Sequence, residues 1–310
     1  PRTSPLCRYI LVTNQWSIKP NDMSLLLTAI FRDYKQYWFK ILCTILGIII
    51  SLSLSSLSVI YDYFILGYER AAGIAGSVNA VGNLSVFAIL FILGFLKNSY
   101  FSNFQKNFFY VSIIFLILAI IASGSRSSFI IFFIGLLIHF DITLKNIIII
   151  FLLLLGLPVL IDFLNPTTVS RYENFFDPGK RIDIFLIGWE LLADNILFGL
   201  GNGALITASS NLIFTNPLFS SYGAAMHNTY LTIFIELGLI GFLLYGVIII
   251  YSRNVLLKSQ NFYLKEYNSN ISIVFILLLV SLLFTNREVD KFFWLMIGLI
   301  SIKFPKYSLS

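Results

Sequence analysis

Four ionisable side chains stand where a helix is expected to begin beside an apolar run. They are Arg70 in ERAAGIAGSVNAVGN, Arg126 in SGSRSSF, Arg181 in GKRIDIFLIGW and His227 in AAMHNTYLTIFIELGLIG. A guanidinium is a planar fork that suits two phosphate oxygens at once. The first turn of a helix adds backbone N–H donors for an anion. Arginines so placed on one side of an apolar bundle suit a ligand with a diphosphate head and a lipid tail. His227 is one of two histidines in the chain, and an imidazole can accept a proton near neutrality. One reaction combines these groups: a sugar hydroxyl attacks an anomeric carbon, His227 takes or orients the hydroxyl proton, and the cationic site stabilises the departing diphosphate.

Each of these residues has a structural alternative. An arginine at a membrane boundary is more often an anchor or a loop charge than a ligand-binding group, and Arg171, Lys180, Arg287 and Lys291 read that way. A histidine in a loop is commonly just solvated, and His139 reads as an interfacial residue at the opposite end of the bundle. Glu236 lies inside an apolar run, where a carboxylate is costly and takes a functional or a paired role. It shares a helical face with Thr229 and Thr232. His227 falls about half a turn out of phase with it, so Glu236 is expected to be structural, paired with an arginine or a backbone group. No phosphate-binding glycine loop, serine elbow, HExxH or DxD motif occurs, and the carboxylates are dispersed. No metal or other cofactor is therefore expected. No nucleotide-sugar domain is present either, so the donor is expected to be lipid-borne.

The elements that must position these residues follow from composition. Of 310 residues, 58% are hydrophobic and 12% charged, with mean hydropathy +0.87. That leaves too little polar surface to cover a globule and excludes a water-soluble enzyme and a disordered chain. The long Ile/Leu/Phe runs lack the alternation of a membrane-spanning strand, so the fold class is an all-α integral membrane protein, one polytopic helical bundle. Crossing needs roughly 20 apolar residues. Such runs fall near 41–60, 80–96, 108–123, 127–140, 146–163, 229–251, 271–285 and 292–302, about eight in all. The pair over 108–140 reads either as two crossings or as a re-entrant hairpin. Residues 1–40 read as cytoplasmic or as the remnant of an earlier part of the bundle.

Counting Lys and Arg by side gives 14 on one and 7 on the other. By the positive-inside rule the richer side is cytoplasmic, and the net charge of +6 points to loops rather than to nucleic acid. The poorer side, then periplasmic, carries the one long connection, 164–228. A connection of that length is seldom idle. Within it, 181–198 has Ile184, Ile187 and Leu191 at helical spacing, with Phe198 at its end. That pattern predicts an amphipathic helix on the membrane surface or over the bundle mouth. Gly199, Gly201 and Gly203 then turn the backbone sharply. Cys7 and Cys43 form neither a metal spacing nor a set of bridges.

These pieces, in this order, resemble the O-antigen ligase/polymerase superfamily of bacterial inner-membrane glycosyltransferases. They are R70-x-x-G73 followed by N79; S125-R126-S127 at a helix start; R181 with W189 and then N195-x-x-F198-G199-x-G201-x-G203; and H227-N228-x-Y230-L231 followed by E236-x-G238-x-x-G241. The resemblance spans about 70–245. It implies a GT-C-like bundle with its active face periplasmic, and metal-independent transfer of a glycan from undecaprenyl diphosphate to a hydroxyl. It carries roles onto Arg126 and Arg181 (diphosphate and acceptor binding) and His227 (base or orienting group). Arg70, Asn228 and Tyr230 follow as substrate-binding residues. The implied partners are the lipid-linked glycan, a sugar or lipid A–core acceptor, and the bilayer. Val78 and Ile196 stand where the family often has proline. Family members usually have ten or more spans. With a chain that starts at Pro1, this leads to the expectation that an N-terminal part is missing. A polymerase joining lipid-linked repeat units is the leading expectation, with the ligase that loads lipid A–core as the alternative. A flippase for a lipid-linked sugar, which would show inverted repeats and mid-membrane charges, ranks below both.

Overall fold

A computed structural model of the chain describes residues 20–97, 101–140, 143, 145, 148, 188–193, 195–204, 228–258, 265–285 and 290–301. All regular structure among them is helical. The helices are α1 (Pro20–Phe64), α2 (Val78–Leu96), α3 (Asn103–Ser123), α4 (Arg126–His139), α5 (Thr229–Lys258), α6 (Lys265–Ser281) and α7 (Asp290–Ser301). The chain divides into two units, 1–46 with 303–310 and 47–302. The described part of the first is the N-terminal stretch of α1.

Four stretches are long and apolar enough to cross a membrane: Leu42–Phe64, Val78–Leu96, Asn103–Ser123 and Thr229–Leu256. Arg126–His139, Asn270–Ser281 and Lys291–Ser301 are apolar but shorter. Seven of the eight expected runs thus coincide with helices, four of them of spanning length. The run 146–163 lies outside the described residues.

The helix ends follow local chemistry. Ser77 caps α2, its hydroxyl accepting from the Ala80 N–H at 3.3 Å. Ser102 and Gln105 form a reciprocal capping box on α3. Gly124 ends α3 in the left-handed region, at φ 56°. Asn228 begins α5, its side-chain oxygen accepting from the Leu231 N–H at 3.0 Å.

α2 is the central helix of this unit, packing against α3, α4 and α6. Most of its apolar window is buried, 78%, against 17% for that of α5, so α5 turns most of its side chains outward. In a bilayer, helices gain nothing by leaving an apolar solvent, and close packing has to hold them together. Small residues provide it here. A Cβ on Gly82 would meet the side chains of Ser128 and Ser123, one on Gly94 that of Asn270, and one on Gly135 those of Leu90 and Leu277. Phe87 stacks on Phe292 with ring centroids 5.2 Å apart.

These contacts fix directions. At one end Lys97, which caps α2, donates to the His139 carbonyl at the end of α4 (3.2 Å). Asn270, near the start of α6, packs on α2 close to that same end. The starts of α2 and α4 and the ends of α3 and α6 therefore point the other way. The start of α5 joins them, because the Thr229 N–H donates to the Leu282 carbonyl (2.8 Å) and its hydroxyl to that of Thr285 (2.9 Å).

Candidate functional site

The end that gathers these helix termini holds Arg70, Arg126 and Asn228. Arg70 belongs to the connection from α1 to α2. That connection is tied down at several points: the Ala71 N–H donates to the Ala122 carbonyl (3.0 Å), and the Ile74 N–H to the Ser58 hydroxyl (3.0 Å). Val59, Tyr63, Ala71, Val81, Ala119 and Ala122 close over it as a small apolar cluster. Gly73 adopts φ 53° and comes so close to Ser58 and Val59 that a Cβ would collide with both, which accounts for the glycine in R70-x-x-G73. Arg70 Nε donates to the Ser123 carbonyl at 3.2 Å, a cation at the negative end of α3. Its side chain lies beside Gly124, two residues from Arg126. Two arginines 56 residues apart are thus assigned to one turn.

That turn rests on a buried polar seam. Asn79, Gly82 and Asn83 share one face of α2. The Ser125 hydroxyl donates to Asn79 Oδ1 at 3.0 Å and lies 3.1 Å from that of Ser127. The Ser128 hydroxyl donates to Asn83 Oδ1 at 2.8 Å. Ser125 precedes Arg126 but makes no side-chain cap bond to α4; its hydroxyl is turned to α2 instead. The N-terminus of α4 is thereby anchored by a neighbouring helix, with half-buried Arg126 as its first residue. Asn83 is fully buried and its Nδ2 has no hydrogen-bond partner. The signal for the seam was present in the sequence, as two amides four residues apart in an apolar helix.

Asn228 and Tyr230 are both engaged by helices. Asn228 caps α5 with its side chain, and its carbonyl accepts from the Thr232 hydroxyl (3.0 Å). The Tyr230 hydroxyl donates to the Leu279 carbonyl on α6 (2.9 Å), and its ring meets that of Tyr245. Glu236 is buried, 2% exposed, on the same face as buried Thr229 and Thr232. Arg181 and His227 lie outside the described residues.

Glu236 stands two residues before a break in α5. Gly238 has φ 66° and ψ −169°, which no helix accommodates. Such a break frees backbone groups on both sides, and they are claimed by the segment 195–201. The Leu200 N–H donates to the Ile235 carbonyl (2.9 Å) and the Gly201 N–H to that of Glu236 (2.8 Å). In return the Leu239 N–H donates to the Ile196 carbonyl (2.8 Å) and the Ile240 N–H to that of Leu197 (3.2 Å). Gly199 and Gly238 meet at the centre. A Cβ on Gly199 would lie 2.5 Å from the Gly238 nitrogen, and one on Gly238 would collide with the Leu197 carbonyl. The glycines of N195-x-x-F198-G199-x-G201 and E236-x-G238 are thus two halves of one backbone clasp.

The clasp also explains how the expected amphipathic helix ends. Helical backbone is described at 188–193, while 195–198 form turns. The Ile196 and Leu197 carbonyls accept from α5 rather than continuing a helix to 198. The helical piece is fixed by Leu192 packing on Ile235, flanked by Leu191, Leu200, Leu231 and Phe234. Residues 181–187 lie outside the described residues.

Residues 111–246 match the family model described as O-antigen ligase. Over that span the chain is similar to the O-antigen ligase family. The matched segment of the O-antigen ligase family takes in the turn with Arg126, the connection containing the clasp, and α5 as far as Gly246; Arg70 precedes it. No curated protein matches the chain.

Proposed function

We propose that this protein is an O-antigen polymerase-type glycosyltransferase of the bacterial inner membrane. It moves a glycan from undecaprenyl diphosphate to a sugar hydroxyl at the periplasmic face. The observation that carries this reading is the match of 111–246 to the O-antigen ligase family. The assignment of Arg70 and Arg126 to one turn at the helix-terminus end of the bundle supports it.

In this reading the acceptor O–H attacks the anomeric carbon. His227 accepts the proton, a new C–O bond forms, and the bond to the diphosphate breaks. Arg126 and Arg181 hold the diphosphate as negative charge builds on it, and the first turn of α4 adds oriented N–H groups. Arg70, Asn228 and Tyr230 line the approach as substrate-binding residues. Glu236 serves as a buried structural group beside the clasp.

A ligase that loads lipid A–core is the second reading, favoured by the description of the matched family. A broken membrane helix is also what a transporter would use to bind its cargo. Here the carbonyls of Ile235 and Glu236 and the N–H groups of Leu239 and Ile240 are engaged by 196–201, so the break does not favour transport.

Glycan banding in a deletion strain tests these readings. Polymerase loss leaves a single repeat unit on the core, and ligase loss leaves free lipid-linked polymer with bare core. Complementation with His227→Ala should fail while the variant still inserts in the membrane. Full banding restored by that variant would remove His227 from the chemistry.

A further inference from the structure

The segment clasped to α5 carries four adjacent apolar or glycine positions, Ile196 to Gly199, in the middle of a connection expected to be aqueous. Ile196, Leu197 and Phe198 are 48%, 56% and 74% exposed. Three consecutive large apolar side chains facing water would be costly. The position of the clasp along α5 offers a different solvent for them.

The apolar stretch of α5, Thr229–Leu256, has 28 residues, which is about 42 Å at roughly 1.5 Å per residue. The hydrocarbon core is about 30 Å thick, so about 12 Å of α5 lies outside it. Gly238 is about 13 Å in from Thr229 by the same rise. Even if the whole excess lay on the Thr229 side, the break would still fall at the hydrocarbon boundary. With the excess shared, it lies several ångströms inside. The clasp bonds Ile196 and Leu197 directly to Leu239 and Ile240, which fixes 196–198 at that depth. Leu239, Ile240 and Leu243 on α5 are themselves 37%, 44% and 58% exposed. The apolar side chains of the segment therefore continue an outward-facing apolar surface of α5.

We propose that residues 195–201 form a re-entrant lip whose Ile196, Leu197 and Phe198 side chains contact the hydrocarbon chains of the bilayer. Irregular backbone is tolerated at membrane depth only where its polar groups are satisfied by protein. The clasp satisfies several of them: the Ile196 and Leu197 carbonyls and the Leu200 and Gly201 N–H groups all bond to α5, and the Gly199 N–H donates to the Asn195 carbonyl (2.7 Å). The lip puts the glycine-rich exit of the connection at the lipid boundary, where a membrane-anchored substrate meets the protein. The inference rests on the reading that α5 spans a membrane.

The test is labelling of the full chain in proteoliposomes, with Cys7 and Cys43 replaced by serine. Single cysteines are introduced by Phe198→Cys and, independently, Ile196→Cys. Leu243→Cys on α5, 58% exposed, is the lipid-facing reference, and Ile74→Cys, at an 84% exposed position of the α1–α2 connection, is the aqueous one. A membrane-impermeant maleimide requires a solvated thiolate, so both lip positions should label at least about tenfold more slowly than Ile74→Cys, as Leu243→Cys does. A spin label at position 198 should be relaxed more by oxygen than by a water-soluble nickel chelate, which also reports if a cysteine is slow for local reasons. Rapid labelling at 196 and 198 with Leu243→Cys protected overturns the lip alone. Rapid labelling of Leu243→Cys as well overturns the span of α5 and the lip with it.

Discussion

At the scale of single residues, the turn that opens α4 joins the guanidinium proposed to hold the diphosphate to a set of buried hydroxyls and amides. Arg126→Ala should abolish transfer. Arg126→Lys keeps the charge but loses the fork, and should remain impaired by at least about tenfold in transfer from a lipid-linked donor. Lysine restoring full transfer would show that charge alone suffices. The seam beneath makes a separate prediction. Ser128→Ala removes the hydroxyl that donates to the fully buried Asn83 side-chain oxygen and should cost about 1–3 kcal/mol. Adding Asn83→Ala should cost less than the sum of the single changes, with a coupling of about 0.5–3 kcal/mol. Thermal unfolding of the detergent-solubilised variants measures both. Of these residues Arg126 was recognisable from its place at a helix start, because glycine and serine before an apolar run mark a boundary. The seam residues were visible as amides in an apolar helix, but their partners lie 45 and 46 residues away, and no local pattern reports such a pairing.

At the scale of elements, α5 is the informative case. Its hydropathy is continuous over the whole run, so it reads as one straight crossing, and composition is blind to a backbone angle. The break exists because residues 196–201 supply the hydrogen bonds that Gly238 takes away from the helix. Gly238→Ala imposes a left-handed backbone on a residue with a Cβ and drives that Cβ into the Leu197 carbonyl. It should cost at least about 2 kcal/mol, seen as a lowered unfolding temperature. Gly246→Ala, where an added Cβ meets nothing within 4 Å, should shift stability by no more than about 1 kcal/mol, and in the stabilising direction if helix propensity decides. A Gly238→Ala protein as stable as the parent would mean that the clasp is not needed to hold the break. The three glycines at 199, 201 and 203 did announce a sharp turn, and all three have positive φ. What they turn around is a helix that begins 26 residues after the last of them.

At the scale of the whole molecule, the proposed chemistry rests on cationic side chains and helix termini and routes no step through a divalent ion. Transfer by membranes treated with a chelator should therefore continue at its untreated rate; loss with rescue by added divalent ion would overturn that mechanism. The amino-acid sequence by itself determined the solvent, the helical class, the positions of seven of the runs, and the helix starts at Arg126 and at 229. These follow from local quantities: the length of an apolar run against the thickness of hydrocarbon, and the side chain available to cap a first turn. Only the tertiary structure decided that Arg70 shares a turn with Arg126, that α2 is the central helix, and that two glycine motifs interlock to break α5. Those outcomes depend on which surfaces can approach without a Cβ between them and on where freed backbone groups find partners. Such contacts join residues tens of positions apart, where periodicity and composition carry no information.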